Sequence, residues 1–278
     1  MRQVSTCHGP LGRRNVHLPT MKPDSSGAAL LSSLSFVYPM FNEAENIETA
    51  VRESLRIGPR IAREVEIVIV DDASTDGSGE IADRLSREHP GMRVIHHEKN
   101  RRLGGALKTG FASAWKDWIL YIDGDLPVDL NEALASLPVA AGADMVIGWR
   151  RTRAESVRRE VISKVYNLMI RILFNLHVRD VNFAFKLFKR SFYEKVHLTS
   201  EGSFIDAELL LEMQRAGARI AEIPMNYYPR AAGVSTLSSN AVIFKILEEM
   251  FHYRIFGHAQ PNDRSRRQCG RFRPLRQH

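Results

Sequence analysis

Five short apolar runs rich in β-branched residues, each followed by a helical pattern or a cluster of polar residues, constrain this 278-residue chain more than any other feature. They are LSFVYP (34–39), VEIVIVD (65–71), MRVIHH (92–97), WILYID (118–123) and DMVIGW (144–149). Helical periodicity occupies 43–57, 76–88, 104–116 and about 130–137. Ser74, Thr75 and Asp76 are candidate caps ahead of the periodic Ile81, Ala82 and Leu85. Strands that are apolar nearly throughout are buried on both faces. Their alternation with helices predicts an α/β fold: a doubly wound, mostly parallel, Rossmann-like sheet flanked by helices. Ligands of such sheets bind beyond the carboxyl ends of the strands.

Charge has to be located before it can be read. The net charge of +7 resides in the ends: residues 1–30 carry +3 and residues 259–278 carry +5, which leaves the intervening chain near neutral. Both ends lack apolar periodicity and are expected to be a disordered N-terminal extension and a basic disordered tail around one domain at 31–258. Within the domain, residues 149–195 hold twelve Lys/Arg against four acids, which is either a solvated face or an attractor of phosphates or an anionic membrane. No run approaches the roughly 18 apolar residues of a membrane span, and no secretory signal opens the chain, so the expected location is cytoplasmic. Cys7 and Cys269 lie in opposite tails and suit neither a disulfide framework nor a metal cluster.

Four polar stretches follow strands: PMFNEAENI (39–47), DDASTDGS (71–78), KNRRLGGALKTG (99–110) and DGDLP (123–127). In extended chain, residues two apart face the same way, so Asp123 and Asp125 present both carboxylates to one side, while Gly124 admits a ligand close to the backbone. Two crowded carboxylates are relieved by a divalent cation. Mg²⁺ or Mn²⁺ held this way completes its shell with water and substrate phosphates. Other acidic strand-end sites fit less well. A haloacid-dehalogenase phosphatase wants Thr or Val where this chain has Pro127. A receiver domain leaves PMFNE and residues 150–258 without a role, and a Rossmann dehydrogenase needs G-x-G-x-x-G after its first strand.

VYPMFNEAENI, EIVIVDDASTDGS, GGALKTGF and LYIDGDLP, in this order and spacing, resemble the family 2 inverting glycosyltransferases of GT-A fold. Downstream, IGWRR (147–151), RDVNFAFKLFKR (179–190) and FIDAELLLEMQRAGARIAEIPMNYYPRAAGVS (204–235) are similar to the branch of dolichyl- and polyprenyl-phosphate sugar synthases. The resemblance implies that Pro39, Phe41 and Glu43 line the base and ribose of a nucleotide, that Asp72 hydrogen-bonds the base, and that Asp71 orients its loop. It implies that Asp123 reaches ribose or metal and that Asp125 ligates the metal. Arg150, Lys186 and Arg230 would gather at the diphosphate and the acceptor phosphate, where guanidinium forks match phosphate oxygens. Asp206 matches the acidic residue near the acceptor, with Glu208 beside it.

Plainer roles stand beside these. Asp72 and Asp76 suit turns or caps, Asp206 suits an N-cap for a helix starting near Ala207, and Arg150 suits a basic surface. Asp180 suits an ion pair bracing its loop, and Gly104, Gly105 and Gly110 suit helix packing. The chain also departs from the family pattern. Pro127 stands where Gln is common, so a contact is missing or falls to Asp129. Arg102 replaces a glycine expected two positions after Asn100. Ala184 replaces another glycine, and Asn182 and Phe183 replace smaller residues.

The expected activity is metal-dependent, inverting transfer of a hexose from a UDP- or GDP-sugar to a polyprenyl phosphate at the cytoplasmic membrane face. A hydroxyl acceptor, or a non-catalytic module binding anionic ligands on the same fold, is the alternative. Residues 156–176 and 240–258 carry apolar residues at helical spacing among basic ones. They are expected either to lie on an anionic bilayer, giving peripheral attachment and room for a membrane partner protein, or to pack on the sheet. Nucleic acid is not an expected partner of the enzyme.

Overall fold

Phe36, Val37 and Tyr38 are consecutive and fully buried, and they belong to opposite sides of one sheet. Period-two alternation sends Phe36 and Tyr38 to one hydrophobic cluster and Val37 to the other, so the strand separates two cores. The structure, a computed structural model, describes residues 29–151, 157–228 and 240–256. The expected disordered tails lie largely outside these residues, as does Arg230.

In chain order the elements are β1 (Leu31–Met40), α1 (Ile47–Ile61), β2 (Ala62–Asp71), α2 (Ser78–Glu88), β3 (Met92–His96), α3 (Arg102–Ser113) and β4 (Trp118–Ile122). A 3-10 helix (Leu130–Ala135) leads into α4 (Ser136–Ala140) and β5 (Met145–Arg150). Then follow α5 (Val157–Phe174), β6 (Phe185–Lys189), α6 (Arg190–Tyr193), α7 (Ile205–Arg215), β7 (Ile220–Met225) and α8 (Asn240–Phe256). The seven strands are ordered β3-β2-β1-β4-β6-β5-β7. β1 pairs in parallel with β2 and β4, β2 with β3, and β5 with β7. β6 runs antiparallel between β4 and β5.

All five expected strands are present. β6 and β7 are additional, and composition hides them: Phe185–Lys189 carries two lysines in five residues, and Ile220–Met225 contains Glu222 and Pro224. β6 tolerates Lys186 because the side chain, 1% exposed, finds partners inside. Helix α1 starts at Ile47 rather than 43. Asn42, at φ 57°, turns the chain so that the backbone N–H groups of Asn42, Glu43 and Ala44 donate to Ser74, Ser78 and Asp76 of the next loop. Asp76 also accepts from the N–H of Ser78, so these polar residues lace two loops together while Gly77, at φ 91°, precedes α2.

Glycine positions in α3 mark close approach. A Cβ on Gly104 would lie 2.4 Å from the Ser200 carbonyl oxygen, and one on Gly110 would lie 2.5 Å from Val37. These two glycines serve packing. Arg102, where a glycine was expected, takes the left-handed backbone that favours glycine, at φ 60°.

Helix α5 resolves the question of its apolar face into two faces. Tyr166 and Ile170 are buried, with Met169, Leu173 and Phe174 packed on the core, whereas Val161, Val165, Leu168 and Ile172 form an exposed row, Ile172 being 71% exposed. On α8, Met250 and Tyr253 face inward and Phe251 and Ile255 outward. No described helix is long and apolar enough to cross a membrane.

Candidate active site

The carboxyl ends of β1, β2 and β4 meet at one edge, where their loops form the floor of a site. An added Cβ on Gly124 would lie 3.6 Å from the Pro39 carbonyl oxygen and 3.8 Å from Cγ of Glu43, which places the Asp123–Asp125 turn against the end of β1. Asp123 and Asp125 are both partly exposed. Tyr121, two residues earlier on the same face of β4, donates its hydroxyl to Asp123 at 3.0 Å. Burial, then the negative charges of Asp125 and Asp206, push the Asp123 carboxyl up to about 7.

β6 brings the basic partner. Lys186, paired across from Tyr121 in the sheet, sends its ammonium to Asp206 at 2.5 Å and to the Phe183 carbonyl at 2.9 Å. Asp206 lies in the first turn of α7, buried, and burial raises its pKa against the opposing pull of Lys186. Asp206 is therefore held by an ion pair and does not act as a helix cap, since no side-chain cap bond opens α7. At the end of β5, Arg150 pairs with buried Asp180 at 3.4 Å and its guanidinium lies 4.9 Å from the Tyr227 ring centre and 5.7 Å from that of Phe183. Asp180 thus braces Arg150. Glu208 accepts from Thr199 and Ser200 and anchors the loop before α7.

The residues expected at a nucleotide have these surroundings. Phe41 is 47% exposed at the rim. Glu43 holds Asn46 at 2.7 Å. Asp71 accepts from the N–H of Ser74 and pairs with His96, in keeping with a loop-orienting role. Asp72, buried, bonds His97 at 2.7 Å and the N–H of Arg101 at 2.8 Å through the same oxygen. Asp129 caps the 3-10 helix by accepting from Asn131 and so is committed locally. Pro127 uses its carbonyl to accept from Tyr228, and Glu132 receives the backbone and side chain of Asn226; together they tie the β4 loop to the chain after β7. Tyr121, His97, Glu132 and Tyr227 also belong to this edge of the sheet, though no motif marks them. Only Tyr121 carried a signal, the i, i+2 relation to Asp123.

A divalent cation fits this donor set. Two hard carboxylate oxygen donors crowd one turn, and the burial and neighbouring negative charge that raise the Asp123 pKa are both offset by a bound cation. No cluster of three or more His, Cys, Asp or Glu able to hold a metal occurs among the described residues; Asp123 and Asp125 are the two carboxylates that would hold a cation here.

A mixed, mostly parallel sheet with an acidic turn after its central strand defines the GT-A glycosyltransferases. A sequence profile of glycosyl transferase family 2 matches residues 35–197, and the chain belongs to that family. Glycosyltransferase AglD of Haloferax volcanii is 32% identical over 222 residues, 76% of this chain, and the chain spans 36% of that relative's length. Polyprenol monophosphomannose synthase of Mycolicibacterium smegmatis is 30% identical over 235 residues, covering 76% of this chain and 84% of the relative. Among solved structures, glucosyl-3-phosphoglycerate synthase from Mycobacterium tuberculosis with Mn²⁺ and uridine-diphosphate-glucose matches with TM-score 0.61 at 18% identity, covering 80% of this chain and 79% of that one. Mannosyl-3-phosphoglycerate synthase from Rubrobacter xylanophilus matches with TM-score 0.57 at 19% identity, covering 83% and 77%. At these identities the structural likeness establishes the GT-A fold. The protein is a glycosyltransferase.

Proposed function

We propose that the protein transfers a hexose with inversion from a UDP- or GDP-sugar to a polyprenyl phosphate, working peripherally at the cytoplasmic face of a membrane. The observation that carries this reading is the convergence of Asp123 and Asp125 with the buried Lys186–Asp206 pair beside Arg150 and Asp180. One edge of the sheet thereby combines a turn suited to a cation with two fixed ion pairs. The relative named polyprenol monophosphomannose synthase supports a lipid-phosphate acceptor.

Asp123 and Asp125 are the ligands we assign to Mg²⁺ or Mn²⁺, which when bound would neutralise the departing diphosphate. Pro39, Phe41 and Glu43 line the nucleoside, and Asp72 accepts from a ring N–H of its base, which uracil and guanine offer. Arg150 holds phosphate oxygens, with Arg230 a further candidate, while Lys186, buried and bonded to Asp206 and the Phe183 carbonyl, lends its charge from beneath the site. Asp206 positions Lys186. An acceptor phosphate is ionised near pH 7 and attacks the anomeric carbon without a general base, which suits a carboxylate already engaged by a lysine. The exposed α5 row, with Phe251 and Ile255 of α8, supplies an apolar surface for a bilayer, and Lys164 and Arg171 supply charge for anionic headgroups.

The test is incubation with labelled UDP- and GDP-sugars, Mg²⁺ or Mn²⁺ and a short polyprenyl phosphate, with Asp125→Ala as control. Label in the organic phase from one donor, lost in the variant, is expected. Metal-dependent hydrolysis without lipid label would redirect the acceptor to a hydroxyl, and absence of both activities would refute the enzymatic reading.

A further inference from the structure

We propose that His97 is a positioning residue for the nucleotide site. It fixes the Asp72 carboxylate through a hydrogen-bond chain, Thr109–His97–Asp72, that joins α3, the end of β3 and the end of β2. The inference rests on the reading that Asp72 faces the nucleobase and adds the residue that sets its orientation.

Both ring nitrogens of His97 are used: Nδ1 lies 2.7 Å from Asp72 Oδ1, and Nε2 lies 2.9 Å from the Thr109 hydroxyl. An ionised carboxylate only accepts, so the proton of the neutral ring sits on Nδ1 and Nε2 accepts from Thr109. This fixes tautomer and ring plane together, as a partner on the far nitrogen does for histidines that must present one face. The side chains are 7% and 4% exposed, so water does not compete for the bond. Arg101 donates its N–H to the same Oδ1 at 2.8 Å, so two donors converge on one oxygen. Among the described residues no hydrogen bond engages Oδ2, which is the oxygen left for a ligand.

The adjacent His96 serves differently. It bridges Asp71 and Asp83 at the surface and does not reach Asp72. Two consecutive histidines thus hold two consecutive aspartates, but only His97 sits behind the carboxylate assigned to the base. A rotated Asp72 would either withdraw Oδ2 from a ring N–H or offer it at the wrong angle, which weakens nucleotide binding without touching the transfer step.

Calorimetric titration of the full chain with UDP and GDP in Mn²⁺ tests this, using His97→Asn, His97→Gln and His97→Phe. The Asn amide can occupy the place of Nδ1, while the Gln amide falls where Nε2 lies. His97→Asn is expected to bind the preferred nucleotide within about threefold of the parent, and His97→Gln and His97→Phe about tenfold more weakly, the scale of one hydrogen bond to a charged group. Donor KM should rise in parallel while kcat changes little. Equal affinities in folded Asn and Gln variants would overturn the proposal, as would parent-like binding by His97→Phe. If the parent itself bound neither nucleotide, the assignment of Asp72 to a base would fall with it.

Discussion

The ammonium of Lys186 lies 2.5 Å from Asp206 Oδ1, with the lysine side chain 1% and the aspartate side chain 6% exposed. A buried pair of this kind does little for net stability, yet breaking it strands a charge and costs about 3–5 kcal/mol. Asp206→Ala and Lys186→Met should each lower the denaturation midpoint sharply. The double variant Lys186→Met/Asp206→Leu should recover most of that loss and remain inactive. Urea titrations check the stability, and a double variant no more stable than the singles would show that the pair organises more than itself.

The raised pKa of Asp123 predicts how a cation should act. Above pH 3.8 the unfolded carboxyl ionises while the folded one keeps its proton to about 7, so the fold loses stability across that window and the loss is complete above it. A bound cation reverses this by favouring the ionised form. The rise in melting temperature on adding Mn²⁺ should therefore be larger at pH 8 than at pH 6, and Asp123→Asn should abolish most of it. An equal rise at both values in the parent would contradict the assignment.

His96 gives a dependence of the same sign at higher pH, with a stabilising contact behind it in place of a burial cost. Its pKa is raised above 6.5, first by its bond to Asp71 and then by that to Asp83. The stabilisation is full below about pH 6.5, the unfolded value, and is lost as pH rises through the higher folded value. His96→Gln should destabilise more at pH 6 than at pH 9. Because the side chain is 44% exposed, the difference should stay under about 1 kcal/mol. Chemical denaturation of both proteins at the two pH values decides it.

Gly104 offers a test of packing. A methyl group there would meet the Ser200 carbonyl oxygen at 2.4 Å and Glu201 Cα at 2.9 Å, and backbone cannot yield as a flexible side chain does. Gly104→Ala should cost about 1–3 kcal/mol. It should also loosen the loop that Glu208 anchors, seen as faster amide exchange at Thr199 and Ser200. Exchange unchanged at those amides would mean that α3 moves instead.

The outward row on α5 predicts membrane binding that is separable from nucleotide binding. Leu168→Asp/Ile172→Asp should reduce sedimentation with anionic liposomes several-fold and leave UDP or GDP affinity intact. Both side chains are more than half exposed, so the core is spared. Undiminished sedimentation would exclude this row as the contact.

Much of the molecule was legible because its signals are local. The five apolar runs specify strands by composition and length, and Asp123-Gly124-Asp125 announces a paired-carboxylate turn through the i, i+2 relation alone. β6 was not legible. Its composition gives no sign that Lys186, expected at a phosphate, is instead enclosed by Asp206, twenty positions later, and the Phe183 carbonyl. The antiparallel course of β6 likewise depends on its neighbours β4 and β5 and not on its own residues.

The sequence by itself determined the alternating architecture and the acidic turn, since periodicity and strand-end position depend on residues a few apart. Only the tertiary structure decided which charges are spent internally. Asp72 on His97, Asp180 on Arg150 and Asp206 on Lys186 are pairings between residues 20 to 30 positions apart. Burial decides them, because a charge removed from water must take whichever partner the fold places within reach.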